Sequence, residues 1–500
     1  MLSLATLLAA LQAEADQNPN RVIIATEQSH ITVADFVQRV ALLSAQIKQY
    51  SEHRWLVWLP EFSDFVVALF ALWHAGKTPV VPPNFQPNLL LELSDAYEAV
   101  LVTQEIQVVG AHTKPQWVMG DWTAATIASQ SAQNSFAPLE AESQLVLYTS
   151  GSTDQPKPIT KYLTQLDAEV QVLEQLWGTV CADKSVLGTV PHHHIYGLLF
   201  RILWPLAAQR VMVAAVAATP TELSRAWQDH GACVLISSPT HLTRLPALVD
   251  LPTWSGRYVV AFSSGAPFPE SAAREILGAW ALPVQEVYGS SETGGIAWRQ
   301  VGATLNEKET YPCWNPLPGV EVRYGVQYGV QYGAAETLEI ISPFLPDKMP
   351  YTTADRVEIE ANGSFKLCGR VDRVVKIEGK RASLDQIEGL LRKHPWVAEV
   401  VVLALSEPRQ CLAAVVVLRD EGEMALAQGR AYLSQQLRQH LLPSIDAVLV
   451  PRRWRFVEQL PVDARGKLPL KNLLALFSEH SDEKRGEKRG EKRVENNITS

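Results

Sequence analysis

Ten residues, Tyr148 to Lys157, read YTSGSTDQPK and bring four Ser/Thr hydroxyls, one glycine and one lysine together. Thr149, Ser150, Ser152 and Thr153 surround Gly151. Lys157 lies between Pro156 and Pro158, which restrict its backbone. Small residues let backbone N–H groups approach an anion, hydroxyls add donors, and the lysine adds a positive charge. Binding a triphosphate requires that set, although a solvent-facing Ser/Thr loop has a similar composition. The stretch is not a Walker loop, since that pattern places a glycine directly before the lysine.

Other stretches carry further chemistry. Val190 to Gly197 contains His192, His193 and His194 in a row. Consecutive side chains rarely converge on one ion, and no acidic or cysteine partner sits nearby, so zinc is not expected. Ser264, Gly265 and Ala266 form a small-residue turn after an apolar run, which admits a flat base or a substrate close to the backbone. Tyr288, Gly289, Ser290, Ser291 and Glu292 place hydroxyls beside a carboxylate. Glu292 is a hard oxygen ligand suited to Mg²⁺, which a triphosphate reaction needs for charge neutralisation. Taken singly, it could be a first-turn helix carboxylate, favourable for dipole reasons. Asp355, Arg370, Asp372 and Lys467 follow in polar segments whose bland reading is a solvated surface.

The elements that must hold these residues alternate. Val22–Ala25, Trp55–Leu59 and Thr78–Val81 read as strands, and Asp35–Gln46 as a helix with Thr32 as its N-cap. Phe65–Ala75 reads as a helix ending at Gly76, and Leu145–Leu147 as a buried strand leading into the hydroxyl-rich loop. Leu163–Trp177 reads as a helix, and Val234–Ile236 and Val259–Phe262 as strands. Strands alternating with helices predict βαβ units and parallel sheets, an α/β fold. Beyond Ser383 the pattern is helix, two strands, helix and strand, over Leu384–Lys393, Val397–Leu403, Leu412–Leu418, Ala431–Leu442 and Trp454–Val457. The Tyr-Gly-Val-Gln repeat between Arg323 and Gly333 reads as a β-hairpin with a duplicated insertion.

Five hundred residues exceed one ordinary core, so two or more domains are expected. Hydrophobic residues at 47% and charged residues at 19% describe a globular chain. A net charge of −9 without a basic stripe argues against nucleic acid as main partner. Five scattered cysteines without a CxxC pair read as reduced thiols, which predicts a cytoplasmic protein. The N-terminal leucines fall at helical spacing and lack a basic leader, so an amphipathic helix is expected rather than a signal peptide. No apolar run approaches the ~20 residues that span a bilayer, so no stable membrane insertion is expected.

Taken in order, these stretches resemble the adenylate-forming superfamily of acyl-CoA and aryl-CoA ligases, luciferases and peptide-synthetase adenylation domains. YTSGSTDQPK resembles its YTSGSTGxPKG loop, Pro191–His194–Gly197 its PxxHxxG, and Tyr288–Glu292 its YGxTE with Ser291 for threonine. Tyr351–Asp355 resembles YxTGD, Gly369–Gly379 resembles GRxDxxxKxxG, and the loop around Lys467 resembles its lysine loop. The likeness covers nearly the whole chain apart from the charged end.

The resemblance implies roles. Thr149 to Thr153 and Lys157 would hold the ATP phosphates. Ser264, Gly265, Ala266, Tyr288 and Gly289 would hold adenine and carboxylate, and Ser291 the α-phosphate. Glu292 would bind Mg²⁺, and Asp355 and Arg370 the ribose. His194 would line the acid's pocket, and Lys467 would be the catalytic lysine. Asp372 would be the hinge between a large domain, 1–369, and a small mobile α+β lid, 370–478. Residues 479–500 repeat Glu-Lys-Arg-Gly and read as a disordered charged tail.

The implied reaction joins a carboxylic acid to ATP as an acyl-adenylate, then passes it to a thiol of CoA or of acyl carrier protein. His194 to Leu206 contains no acid to pair an amino group, which argues against an amino-acid substrate. HHHIYGLLFRILWPL and VYGSSETGGIAWRQ resemble ligases of aryl polyene-type pigment clusters, implying a hydroxybenzoate- or cinnamate-like acid. A medium- or long-chain fatty acid is the alternative. Asp154, Pro158 and Ala354 depart from the family's glycines. They keep a third reading, a catalytically weak nucleotide-binding regulator. The sequence leaves the oligomeric state open.

Overall fold

The computed structural model describes residues 1–27, 30–83, 85, 92–103, 114–119, 135–149, 156–217, 219–248, 255–266, 268–301, 312–329, 333–347, 349–370, 373–377, 380–405, 411–445, 447–463 and 468–478. The chain forms two units. The larger comprises Met1–Val322, Ile340–Tyr351 and Glu360–Ser364, and the smaller Arg323–Glu339, Thr352–Ile359 and the chain from Phe365 onward.

Two sheets build the larger unit. One has six strands in the order Gln116–Val118, Ala99–Val102, Arg54–Trp58, Thr78–Val81, Gln144–Thr149 and Lys157–Tyr162. All neighbours are parallel except the last pair, an antiparallel hairpin. Pro158 is tolerated because its strand lies at the sheet edge. The other has nine strands, with a parallel centre of Val22–Ala25, Met212–Val216, Ser185–Gly188, Cys233–Ser237, Tyr258–Ser263 and Val284–Ser290. Antiparallel strands flank it: His30–Thr32 at one side, Gly294–Val301 and Asn315–Pro316 at the other. The central strand Cys233–Ser237 is buried throughout, as expected of a strand covered on both faces.

Helices form where the sequence places their signals. Thr32 caps Val33–Ile47: its hydroxyl accepts the Asp35 N–H at 3.2 Å, and Asp35 returns a bond to the Thr32 N–H at 3.2 Å. Phe62–His74 is apolar on every side and ends before Gly76, whose φ of +70° stops it. Leu4, Leu7, Leu8 and Leu11 bury one stripe of the N-terminal segment.

The smaller unit holds a three-stranded sheet, Val397–Leu405, Cys411–Leu418 and Arg453–Phe456, packed against helices Leu384–Arg392 and Arg430–Leu441. Glu321–Gly329 neighbours Gly333–Ile341, which neighbours Tyr351–Thr352; the repeat's Tyr324 to Gly329 lie on the first of these strands, and 330–332 lie outside the described residues. Helices Asp420–Leu426 and Leu470–Ser478 were not expected from sequence. No described helix is long and apolar enough to cross a membrane. The charged end, 479–500, lies outside the described residues.

Candidate active site

The edge hairpin pairs Gln144–Thr149 with Lys157–Tyr162. Thr149 and Lys157 are register partners at its mouth, and Lys157 is exposed there. Ser150, Gly151, Ser152 and Thr153 lie outside the described residues, as does Asp154. Further along the returning strand, Lys161 is buried. Its ammonium donates to the carbonyls of Glu292 at 2.9 Å and Phe344 at 3.2 Å. Gln165 adds a bond to the Phe344 carbonyl at 2.7 Å.

Val284–Ser290 and Gly294–Val301 form a hairpin whose turn carries Ser291 and Glu292. Ser290 and Thr293 lock the turn: Thr293 N–H donates to the Ser290 hydroxyl at 3.2 Å, and Ser290 N–H to the Thr293 hydroxyl at 3.1 Å. Gly289 is required, because a Cβ there would come within 2.3 Å of the Gly294 carbonyl. Beneath the turn, buried Glu169 accepts the Gly295 N–H at 2.7 Å. Burial raises the Glu169 pKa, opposed by Lys161 and that N–H. Burial lowers the Lys161 pKa, opposed by Glu169 and Glu292.

Ser264, Gly265 and Ala266 leave the neighbouring strand, and the Ser264 hydroxyl donates to the Val287 carbonyl at 2.8 Å. Gly265 takes φ +94°, which a side chain would strain. The buried pair Glu286–Arg299, at 2.6 Å, anchors this corner. Glu286 also accepts the Phe268 N–H at 2.8 Å. Arg299 lies over the Trp314 ring at 4.1 Å, and Tyr288 packs on the same ring at 5.5 Å. Ser264, Tyr288, Gly289, Ser291 and Glu292 are thus drawn to adjacent strand ends. Glu292 is exposed. Among the described residues, no group of three or more His, Cys, Asp or Glu is placed to hold a metal. One exposed carboxylate fits Mg²⁺, which takes one or two carboxylates and completes its shell with phosphates and water.

The histidines sit in an aromatic wall. His192 packs on Phe62 and Phe65 at 5.4 and 4.8 Å, and His193 on Phe85 at 4.8 Å. His194 lies 4.4 Å from His193, and Tyr196 lies 4.8 Å from Phe200. The segment turns through Ile195–Gly197 into a π-helical stretch, Leu198–Leu203, a wider winding often found at functional sites. Gly197 packs so tightly that a Cβ would meet the Pro191 carbonyl at 1.9 Å.

Arg201 pins the same segment from below. It is buried and donates to the carbonyls of Val190, Val213, Ala214 and Ala215 at 2.7 to 3.2 Å. Gly188 makes room for it, since a Cβ there would stand 2.3 Å from the arginine chain. Burial, with the Arg201 and His193 charges, holds the His192 pKa well below 6.5.

In the smaller unit, Asp355 and Arg370 are register partners joined at 3.3 Å. The Thr353 hydroxyl accepts the Asp355 N–H at 3.1 Å. Asp385 accepts the Arg370 N–H at 2.9 Å, which it can do because Gly369, at φ +91°, leaves it room. Asp372 and Lys467 lie outside the described residues.

Lys161, Gln165, Glu169 and Arg201 escaped the sequence reading. Lys161, Gln165 and Glu169 recur every four residues across a strand and the helix after it, a polar series inside an apolar face. That spacing was the available signal.

Residues 11–324 match the AMP-binding enzyme family, and residues 386–467 match the AMP-binding enzyme C-terminal domain. A 4-coumarate–CoA ligase of Rhodobacter capsulatus is 30% identical over 330 residues, 65% of this chain and 74% of that protein. A 4-chlorobenzoate–CoA ligase of an Arthrobacter species is 23% identical over 84% of both chains. The crystal structure of ATP-bound MatB from Rhodopseudomonas palustris superposes with a TM-score of 0.77 at 21% identity, covering 94% of this chain and 98% of that one. By these matches and this fold, the chain belongs to the AMP-binding enzyme family and is an adenylate-forming acid–thiol ligase.

Proposed function

We propose that the acid is aromatic, of hydroxybenzoate or cinnamate type, and that the acceptor is the phosphopantetheine thiol of CoA or of an acyl carrier protein. The supporting observation is the aromatic packing beside His194: its ring lies 4.4 Å from that of His193, which packs on Phe85, while His192 packs on Phe62 and Phe65. His194 to Leu206 contains no Asp or Glu to meet an amino group. Flat rings stack edge-on and offset against such a surface. The names of the two curated relatives, a coumarate and a chlorobenzoate ligase, lean the same way.

In the first half-reaction a carboxylate oxygen attacks the α-phosphorus of ATP and pyrophosphate leaves. Thr149 to Thr153 and Lys157 hold the phosphates, and Ser291 meets the α-phosphate. Ser264, Gly265, Ala266, Tyr288 and Gly289 seat the base and the acid's carboxylate. Glu292 would hold Mg²⁺, which neutralises phosphate charge when bound. Asp355 and Arg370 take the ribose hydroxyls, and Lys467 steadies the charge between phosphate and carboxylate. In the second half-reaction a thiolate attacks the acyl carbon and AMP leaves. Residues 1–369 act as the ATP- and acid-binding domain and 370–478 as the lid turning at Asp372. The protein works in a reducing cytoplasm, where Cys181, Cys233, Cys313, Cys368 and Cys411 stay free thiols.

Pyrophosphate release with 4-coumarate, 4-hydroxybenzoate, decanoate and phenylalanine tests this reading. Release with the aryl acids alone supports it. Release with decanoate replaces it with a fatty acyl ligase.

A further inference from the structure

We propose that Lys161 is a positioning residue for the magnesium-binding turn, acting through the backbone of Glu292. The inference rests on Glu292 being the magnesium ligand.

Lys161 follows Lys157 by four residues on one strand, so both point to the same face, one at the hairpin mouth and one in the interior. The buried ammonium donates to the Glu292 carbonyl at 2.9 Å. On the other side of the turn, buried Glu169 accepts the Gly295 N–H at 2.7 Å. Gly294 and Gly295 lack side chains where Glu169 approaches: a Cβ on either would stand 2.7 or 3.1 Å from its carboxylate oxygens. The turn is therefore gripped at a carbonyl by a cation and at an amide by an anion. Charge-assisted bonds of this kind are stronger and more directional than neutral ones.

A buried charged pair is a poor way to gain stability, because desolvation offsets most of the attraction. An apolar pair would pack the same space. What the charges add is a fixed backbone orientation for Glu292, whose carboxylate then projects from a rigid turn. The same ammonium ties this turn to the strand leaving the phosphate loop and to the Phe344 carbonyl. The strand Lys157–Tyr162 and the turn that carries Glu292 are thereby held together. Partners of this sort, one bond behind a metal ligand, typically change metal affinity 10- to 100-fold when removed.

The test measures Mg²⁺-dependent binding of α,β-methylene-ATP by calorimetry, which needs no acid substrate and no turnover. Lys161→Met should weaken Mg²⁺-dependent binding about tenfold or more, and weaken binding of the nucleotide in EDTA much less. Lys161→Met with Glu169→Gln removes both charges, keeps the fold if the single variant does not, and should bind as weakly. Added to Glu292→Ala, Lys161→Met should cost nothing further. A charge-free double variant that binds the magnesium nucleotide like wild type would overturn the inference, as would additive losses with Glu292→Ala. If Glu292→Ala itself keeps the wild-type Mg²⁺ response, the assignment of Glu292 fails and this inference fails with it. If Glu292→Ala loses the response and Lys161→Met keeps it, only the inference fails.

Discussion

Single side chains set the chemistry, and two of them give direct tests. Lys467 is assigned to the first half-reaction alone. Losing one preorganised charge of that kind costs about 3–4 kcal/mol, roughly 10²–10³ in rate. Lys467→Ala should therefore lose that much in pyrophosphate release and little in thiol transfer from preformed adenylate. Single-turnover assays of the two halves separate the effects, and equal losses would remove Lys467 from this role. His192 makes a prediction about stability. Burial, with Arg201 and His193, keeps the folded imidazole neutral well below its ordinary 6.5. As pH falls through about 6.5, the unfolded chain takes up a proton that the folded chain refuses. The contribution of His192 is complete above that value and declines below it, by up to about 1.4 kcal/mol per pH unit. Tm should drop between pH 7 and pH 5, and His192→Asn should flatten part of the drop. An unchanged slope would mean that the ring is not held neutral.

At the scale of elements, the two hairpins and the aromatic segment do the positioning. The segment Pro191–Gly197 closes on itself because Gly197 has no Cβ to meet the Pro191 carbonyl. Gly197→Ala forces that contact apart, and overpacking of this sort costs about 1–3 kcal/mol. It should lower Tm and raise KM for the acid more than KM for ATP. Equal changes in both constants would detach this segment from acid binding. Elements with strong local signals were legible: Thr32 as N-cap announced a helix read as Asp35–Gln46 and found at Val33–Ile47, and Leu163–Trp177 was read to the residue. The Tyr288–Glu292 turn was legible as chemistry because carboxylate, hydroxyl and aromatic ring sit within five residues. Lys161 and Arg201 were not, because a basic residue inside an apolar pattern looks like a solvated exception. Only the fold supplies the four carbonyls that Arg201 satisfies and the two that Lys161 reaches.

For the whole molecule, the proposed hinge at Asp372 gives a test. Asp372→Pro should impair thiol transfer more than adenylation, as a proline removes the φ freedom that a turn of the lid requires. Intact transfer in that variant would move the pivot elsewhere. The order of motifs made the family legible. The acid's identity was not, because it depends on which rings the fold brings to the histidine run: Phe62 and Phe65, packed on His192, and Phe85, packed on His193, come from more than a hundred residues earlier in the chain. The central claim is the proposal that this chain activates an aromatic acid. Pyrophosphate release with ATP and Mg²⁺ across aryl, fatty and amino acids, with and without CoA, tests it most directly. The account predicts release with 4-coumarate or 4-hydroxybenzoate, and none with decanoate or phenylalanine. Silence across the panel with ATP still bound would contradict it and favour a nucleotide-binding regulator.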